Sequence, residues 1–145
     1  MKQTILLFTL MFSSLFISCS DDDDGVDDPV VGTWQLEQTF TNDVSENISD
    51  CAKEEIIEFL GSLDFNGAPH EEVEENGETV CRRTGDTFGK WKNLGDNQYE
   101  ITFGGSLEGQ VQVIEIIVEG DTLTTRSTFT ENGEVSTFRQ EFKRI

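Results

Sequence analysis

The sequence predicts an all-β protein, an antiparallel up-and-down barrel of eight strands, or nine on the fuller count. Three observations carry that expectation. Beyond position 30, apolar residues alternate with polar ones at a period of two, the spacing of strands rather than helices. Pairs such as Asn76-Gly77, Asn132-Gly133 and Gly120-Asp121 punctuate the apolar runs at hairpin spacing. No stretch reads as a helical crossover, so consecutive strands pair antiparallel, and closing such a meander removes its exposed edges. A two-sheet sandwich is the alternative architecture.

The elements follow in order. In 31–41, Trp34, Leu36 and Phe40 share one parity against Thr33, Gln35, Glu37, Thr39 and Thr41. In 55–65, Ile57, Phe59, Leu63 and Phe65 alternate with Glu58, Ser62 and Asp64, which reads as one strand. Strands at 69–75 and 78–83 flank Asn76-Gly77, where both central residues tolerate positive φ. Strands at 87–94 and 97–103 flank Gly95-Asp96-Asn97, and the second carries Tyr99, Ile101 and Phe103 on one face. In 110–119 the apolar parity switches from Val111 and Val113 to Ile114, Ile116 and Val118, which predicts a bulge near Val113 or burial on both faces. Strands at 122–131 and 134–144 complete the set, with Leu123, Thr125, Ser127 and Phe129 on one parity and Phe138 and Phe142 marking the last.

Residues 1–18 read as an address. Lys2 precedes 14 apolar or hydroxylic residues, Thr4 to Ile17, too few to span a bilayer and typical of a secretory signal. Leu15-Phe16-Ile17-Ser18-Cys19 resembles a bacterial lipobox, although Phe16 stands where that motif usually has leucine. The resemblance implies cleavage before Cys19 and its acylation; an ordinary signal peptide with a chance cysteine is the alternative. Two or more acyl chains anchor stably where one is marginal. Residues 19–29 then form an acidic tether, with Asp21, Asp22, Asp23, Asp24, Asp27 and Asp28 too self-repelling to bury. That run resembles the export signal of surface lipoproteins in one group of Gram-negative bacteria, which implies an outer-membrane protein displayed on the cell surface; a plain solvated spacer and an inner-facing outer-membrane location are the alternatives. A calcium loop fails, because with Gly25 as loop glycine Val31 falls where the bidentate glutamate belongs.

Residues 30–145 form the barrel domain. With Cys19 assigned to lipid, Cys51 and Cys81 are an even remainder in an exported chain, which predicts a disulfide. Zinc is the rival, but two thiols and the single histidine, His70, are too few ligands.

Gly32-x-Trp34, Cys51 followed by charged residues and a strand, Cys81, Gly89-x-Trp91 and Gly120-Asp121-Thr122-Leu123 occur in an order that resembles the small lipocalin-like domains of bacterial lipoproteins. The resemblance covers residues 30–145 and implies a lipocalin-like barrel. Phe65-Asn66-Gly67 fits the family's turn after the second strand, whereas Gly61-Ser62-Leu63 lengthens the approach to it and bears on that strand's register.

A charge of −19, becoming −20 when residues 1–18 are removed, excludes a phosphate-tracking nucleic-acid binder. An eight-stranded barrel has room for filling side chains or one small ligand. A small hydrophobic molecule is therefore the expected partner, with Phe59, Trp91, Tyr99, Phe103, Phe129 and Phe138 as pocket candidates and Trp34 as a plug at the closed end. No cofactor, metal or enzymatic constellation is expected, because no triad, nucleophile elbow or phosphate loop is present. The basic residues Arg82, Arg83, Lys90 and Lys92 form the one basic cluster in the sequence, close to Trp91, and are expected to pair with nearby acids; accepting an anionic ligand headgroup is the alternative. A monomer is expected. The alternative function is a surface interaction module, accessory to an outer-membrane complex.

Overall fold

The computed structural model describes residues 26–131 and 133–145. The predicted signal peptide, Cys19 with its predicted acylation and residues 19–25 of the predicted tether lie outside the described residues, as does Asn132 of the last predicted turn. The strands are β1 (Gly32–Thr41), β2 (Val44–Ser45), β3 (Ile56–Phe59), β4 (Asp64–Ala68), β5 (His70–Glu75), β6 (Glu78–Arg83), β7 (Thr87–Gly95), β8 (Gln98–Phe103), β9 (Val111–Glu119), β10 (Thr122–Glu131) and β11 (Glu134–Arg144). Two single 3-10 turns, Ala52–Glu54 and Gly105–Leu107, interrupt the loops.

Eight of these strands close into an antiparallel barrel. β1, β3, β4, β7, β8, β9, β10 and β11 are hydrogen-bonded in that order, and β11 returns to β1 with Trp34 opposite Arg144 and Thr41 opposite Phe138. β2 is a short extra strand on β1. The count of eight is as expected, and six of the eight, β1 and β7 to β11, are expected strands; the other two are not placed as expected. The stretch 55–65 is two strands, because the chain turns at 60–63 and Leu63 adopts a positive φ of 66°. Leu60 and Leu63 serve that turn with their backbones: the Leu63 amide donates to the Leu60 carbonyl, and Trp91 donates its amide to Leu63 and its indole N–H to Leu60. The parity runs through Gly61-Ser62, so alternation alone hid the break. Conversely, β5 and β6 leave the barrel as a separate hairpin, and β4 pairs directly with β7, Gly67 opposite Thr87. Pro69, which cannot donate to a ladder, stands where the chain departs, and the Thr84 amide closes the hairpin's base on its carbonyl.

The predicted bulge near Val113 is absent. β8 pairs with β9 without a shift, Thr102 to Gln98 against Val111 to Glu115. Gln112, Ile114, Ile116 and Val118 share the inward parity, and Val111 and Val113 project outward, each more than half exposed. Register shifts occur instead at Leu36/Gln38 and Asn93/Gly95.

One end is sealed. Trp34 is fully buried there; its indole N–H donates to the Val30 carbonyl at 2.8 Å, and the Arg144 guanidinium lies 4.1 Å over its ring. Arg144 also donates to the carbonyls of Val31 and Pro29. Gly32 is required here, since its φ is +147° and a Cβ would strike that guanidinium. Asp28, inside the stretch read as spacer, is buried at the same end. It accepts from the Val30 amide, the Tyr99 hydroxyl and Asn93 Nδ2. The barrel's hydrogen bonding therefore reaches back past the expected boundary at residue 30.

Candidate functional site: the barrel cavity

The other end is open. Strand directions bring four connections to it: 42–55, 69–86, 104–110 and the β10–β11 turn. The disulfide Cys51–Cys81, with Cα atoms 5.4 Å apart, ties the first of these to the β5–β6 hairpin, as the sequence predicts. By chain entropy the 30-residue loop it closes stabilises the fold by about 3.5 kcal/mol.

Below this rim lies a cavity of about 230 Å³. Its apolar walls are Ile57 and Phe59 of β3, Phe65 of β4, Ile101 and Phe103 of β8, Ile114 of β9, and Phe138 and Phe142 of β11. Polar groups gather toward the mouth: Glu55, Gln112, Thr125, Arg126, Ser127 and Gln140. The inward parity of each strand explains most of the set. In the β10–β11 ladder, Leu123–Phe142, Thr125–Gln140 and Ser127–Phe138 are the facing pairs on the inner side. The aromatic rings pack in a chain from wall to floor: Phe103 on Phe65 (6.4 Å), Phe65 on Phe59 (5.3 Å), Phe59 on Trp91 (6.0 Å) and Trp91 on Tyr99 (6.2 Å).

The six predicted pocket residues separate accordingly. Phe59, Phe103 and Phe138 line the cavity. Trp91 and Tyr99 are buried below it among the core side chains. Phe129 has inward parity but is 45% exposed, because the β9–β10 ladder stops at Arg126–Glu115 and β10 runs on without that neighbour. Sequence reasoning missed Glu55, Gln112, Thr125, Arg126, Ser127 and Gln140 as lining residues. Thr125 and Ser127 were on the inward parity in the sequence, and their small polar side chains between Leu123 and Phe129 were the available signal.

The lining carries one acid, Glu55, and one base, Arg126. Burial raises the Glu55 carboxyl above its ordinary value, partly offset by the charge of His70. His70 donates from Nδ1 to the Ala68 carbonyl at 3.0 Å, since a carbonyl can only accept. Arg126 is paired with Glu115 at 3.5 Å. Three of the basic residues singled out in the sequence pair with acids as expected: Arg82 with Glu75, Arg83 with Asp86 and Lys90 with Asp64. Among the described residues no three His, Cys, Asp or Glu side chains are grouped to hold a metal ion, and no helix is long and apolar enough to cross a membrane.

Fold and site together define a closed eight-stranded antiparallel barrel with an aromatic-walled cavity open at one end. No family model and no curated protein matches the chain. Among solved structures it is similar to trichosurin, a possum milk whey lipocalin crystallised with bound 4-ethylphenol. The two are 12% identical, with a TM-score of 0.38, over 80% of this chain and 76% of that one. The fold assignment rests on the hydrogen-bonded strand order described above.

Proposed function

We propose that this chain is a lipid-anchored, lipocalin-like binding protein that holds one small, mainly hydrophobic molecule inside its barrel. The cavity is the observation that carries this reading. An apolar cavity of about 150 Å³ suffices for benzene, and drug-sized ligands need roughly 300 Å³ or more. At about 230 Å³ this one suits a single ring with a short substituent. Its polar mouth orients such a ligand and its aromatic walls supply the contact area. Anchoring through Cys19, residence in the outer membrane and display on the cell surface are supported by the lipobox-like Ser18-Cys19 and the aspartate run behind it. The activity is binding rather than catalysis.

Native mass spectrometry of the full chain tests the binding reading. The wild type is expected to retain a co-purifying or added small hydrophobe. Ser127→Phe, which places a ring among Phe138, Thr125 and Gln140, is expected to lose it while melting within a few degrees of wild type. Equal retention by the variant contradicts an internal site. An empty wild type that also ignores added ligand favours the interaction module instead, for which the outward Val111 and Val113 are the supporting observation.

A further inference from the structure

We infer that the cavity selects organic cations, a protonated amine carried on one apolar ring, and that Glu55 is the residue that recognises the charge. The inference rests on the binding reading above and names its ligand class. Four observations converge. Glu55 is a half-buried carboxylate on the cavity lining, and among the described residues no hydrogen bond or ion pair engages it. The charged groups on the surrounding elements leave it without a dedicated cation. His70 of β5 acts on it from a distance but directs Nδ1 to the Ala68 carbonyl. Arg126 of β10 is held by Glu115, and Lys53, in the turn just before Glu55, is held by Asp50. The neighbouring Glu54 adds a like charge, while β9 and β11 offer the neutral amides Gln112 and Gln140. Finally, Phe59, Phe65, Phe103 and Phe138 line the cavity, and the faces of aromatic rings attract cations rather than carboxylates.

A half-buried carboxylate with no partner is unfavourable, and an amine arriving with the ligand supplies the missing charge. The whole chain's net charge works in the same direction, since its 29 acids and 10 bases attract cations to the molecule. A fatty acid meets the opposite arrangement.

Isothermal titration calorimetry of the full chain at pH 7 decides this with three probes of similar size: 2-phenylethylamine, propylbenzene and phenylacetate. The amine is expected to bind roughly tenfold tighter than the hydrocarbon, and the carboxylate weakest. Glu55→Gln is expected to weaken the amine roughly tenfold and leave propylbenzene unchanged, which a merely structural role for Glu55 would not do. If propylbenzene binds as tightly as the amine, or Glu55→Gln leaves the amine's affinity intact, the charge preference is overturned while the binding reading stands. If none of the three binds, both are overturned. The wild-type comparison does not depend on the variant folding.

Discussion

Tyr99 shows how one side chain joins the core to the chain's beginning. Its ring packs against Trp91, and its hydroxyl donates to Asp28 Oδ1 at 3.0 Å. Burial first, and then the hydrogen bond and charge of Asp28, push the phenol up to about 12. The chain has one tyrosine, so its ultraviolet titration is read without overlap. Tyrosinate absorbance is expected to appear near pH 12 in the folded protein and near 10 in denaturant. A phenol pKa raised on folding contributes stability that is present below pH 10 and lost as pH rises through 12. A folded-state midpoint at 10 contradicts the burial of this hydroxyl beside Asp28. At this scale the sequence was only partly legible. Alternation placed Tyr99 inward, but the aspartate run looked uniformly solvated, and nothing local distinguishes Asp28 from Asp27. The partner that buries it is 71 residues away.

At the scale of elements, hairpins were legible because their turn chemistry is local. Asn76 and Gly77 both have positive φ, as do Asp96 and Asn97, and Gly120 opens the turn before β10 in the same way. Strand membership was less legible. Period two marks extended chain, and it does not say which strand is a neighbour; β5 and β6 alternate as a barrel strand would and nonetheless pair only with each other. Nor does it count residues across a tight turn: in the sequence Gly61-Ser62-Leu63 reads only as a lengthened approach to a turn at Phe65-Asn66-Gly67, whereas the turn is at 60–63 and Phe65, Asn66 and Gly67 lie inside β4. The Gly89-x-Trp91 pair gains a physical reason from the ladder. A Cβ on Gly89 would stand 2.1 Å from the Thr102 carbonyl oxygen, while Trp91 two residues on is buried beside Phe59. Gly89→Ala is expected to cost about 3 kcal/mol in urea unfolding, as overpacking against backbone does. A change below about 0.5 kcal/mol would show that β7 and β8 do not approach so closely.

The whole molecule is a barrel with two unlike ends. At the sealed end, Trp34, Arg144 and Asp28 bring the first and last strands and the entering chain into one hydrogen-bonded plug. At the open end, the disulfide pins two connections while the strands' inner parity turns polar, and space remains between the aromatic walls. This division follows from residue distribution: large side chains such as Trp34, Trp91 and Leu123 fill the lower layers, and Thr125, Ser127 and Gln140 leave the upper layer underfilled. The closed barrel could be foreseen from the sequence, because burying one face of a long meander leaves few other solutions. The cavity could not, because a volume is the residue of many packings that no single stretch of sequence specifies.

The central claim is that ligand enters this upper layer and no other part of the molecule. Methyl spectra of the full chain, isoleucine-labelled and titrated with propylbenzene, test it most directly. Shifts are predicted for Ile57, Ile101 and Ile114, which line the cavity, with Ile117, on the outward parity of β9, unmoved. Lining methyls that stay still while Ile117 moves would contradict the claim and place any binding on the outer wall.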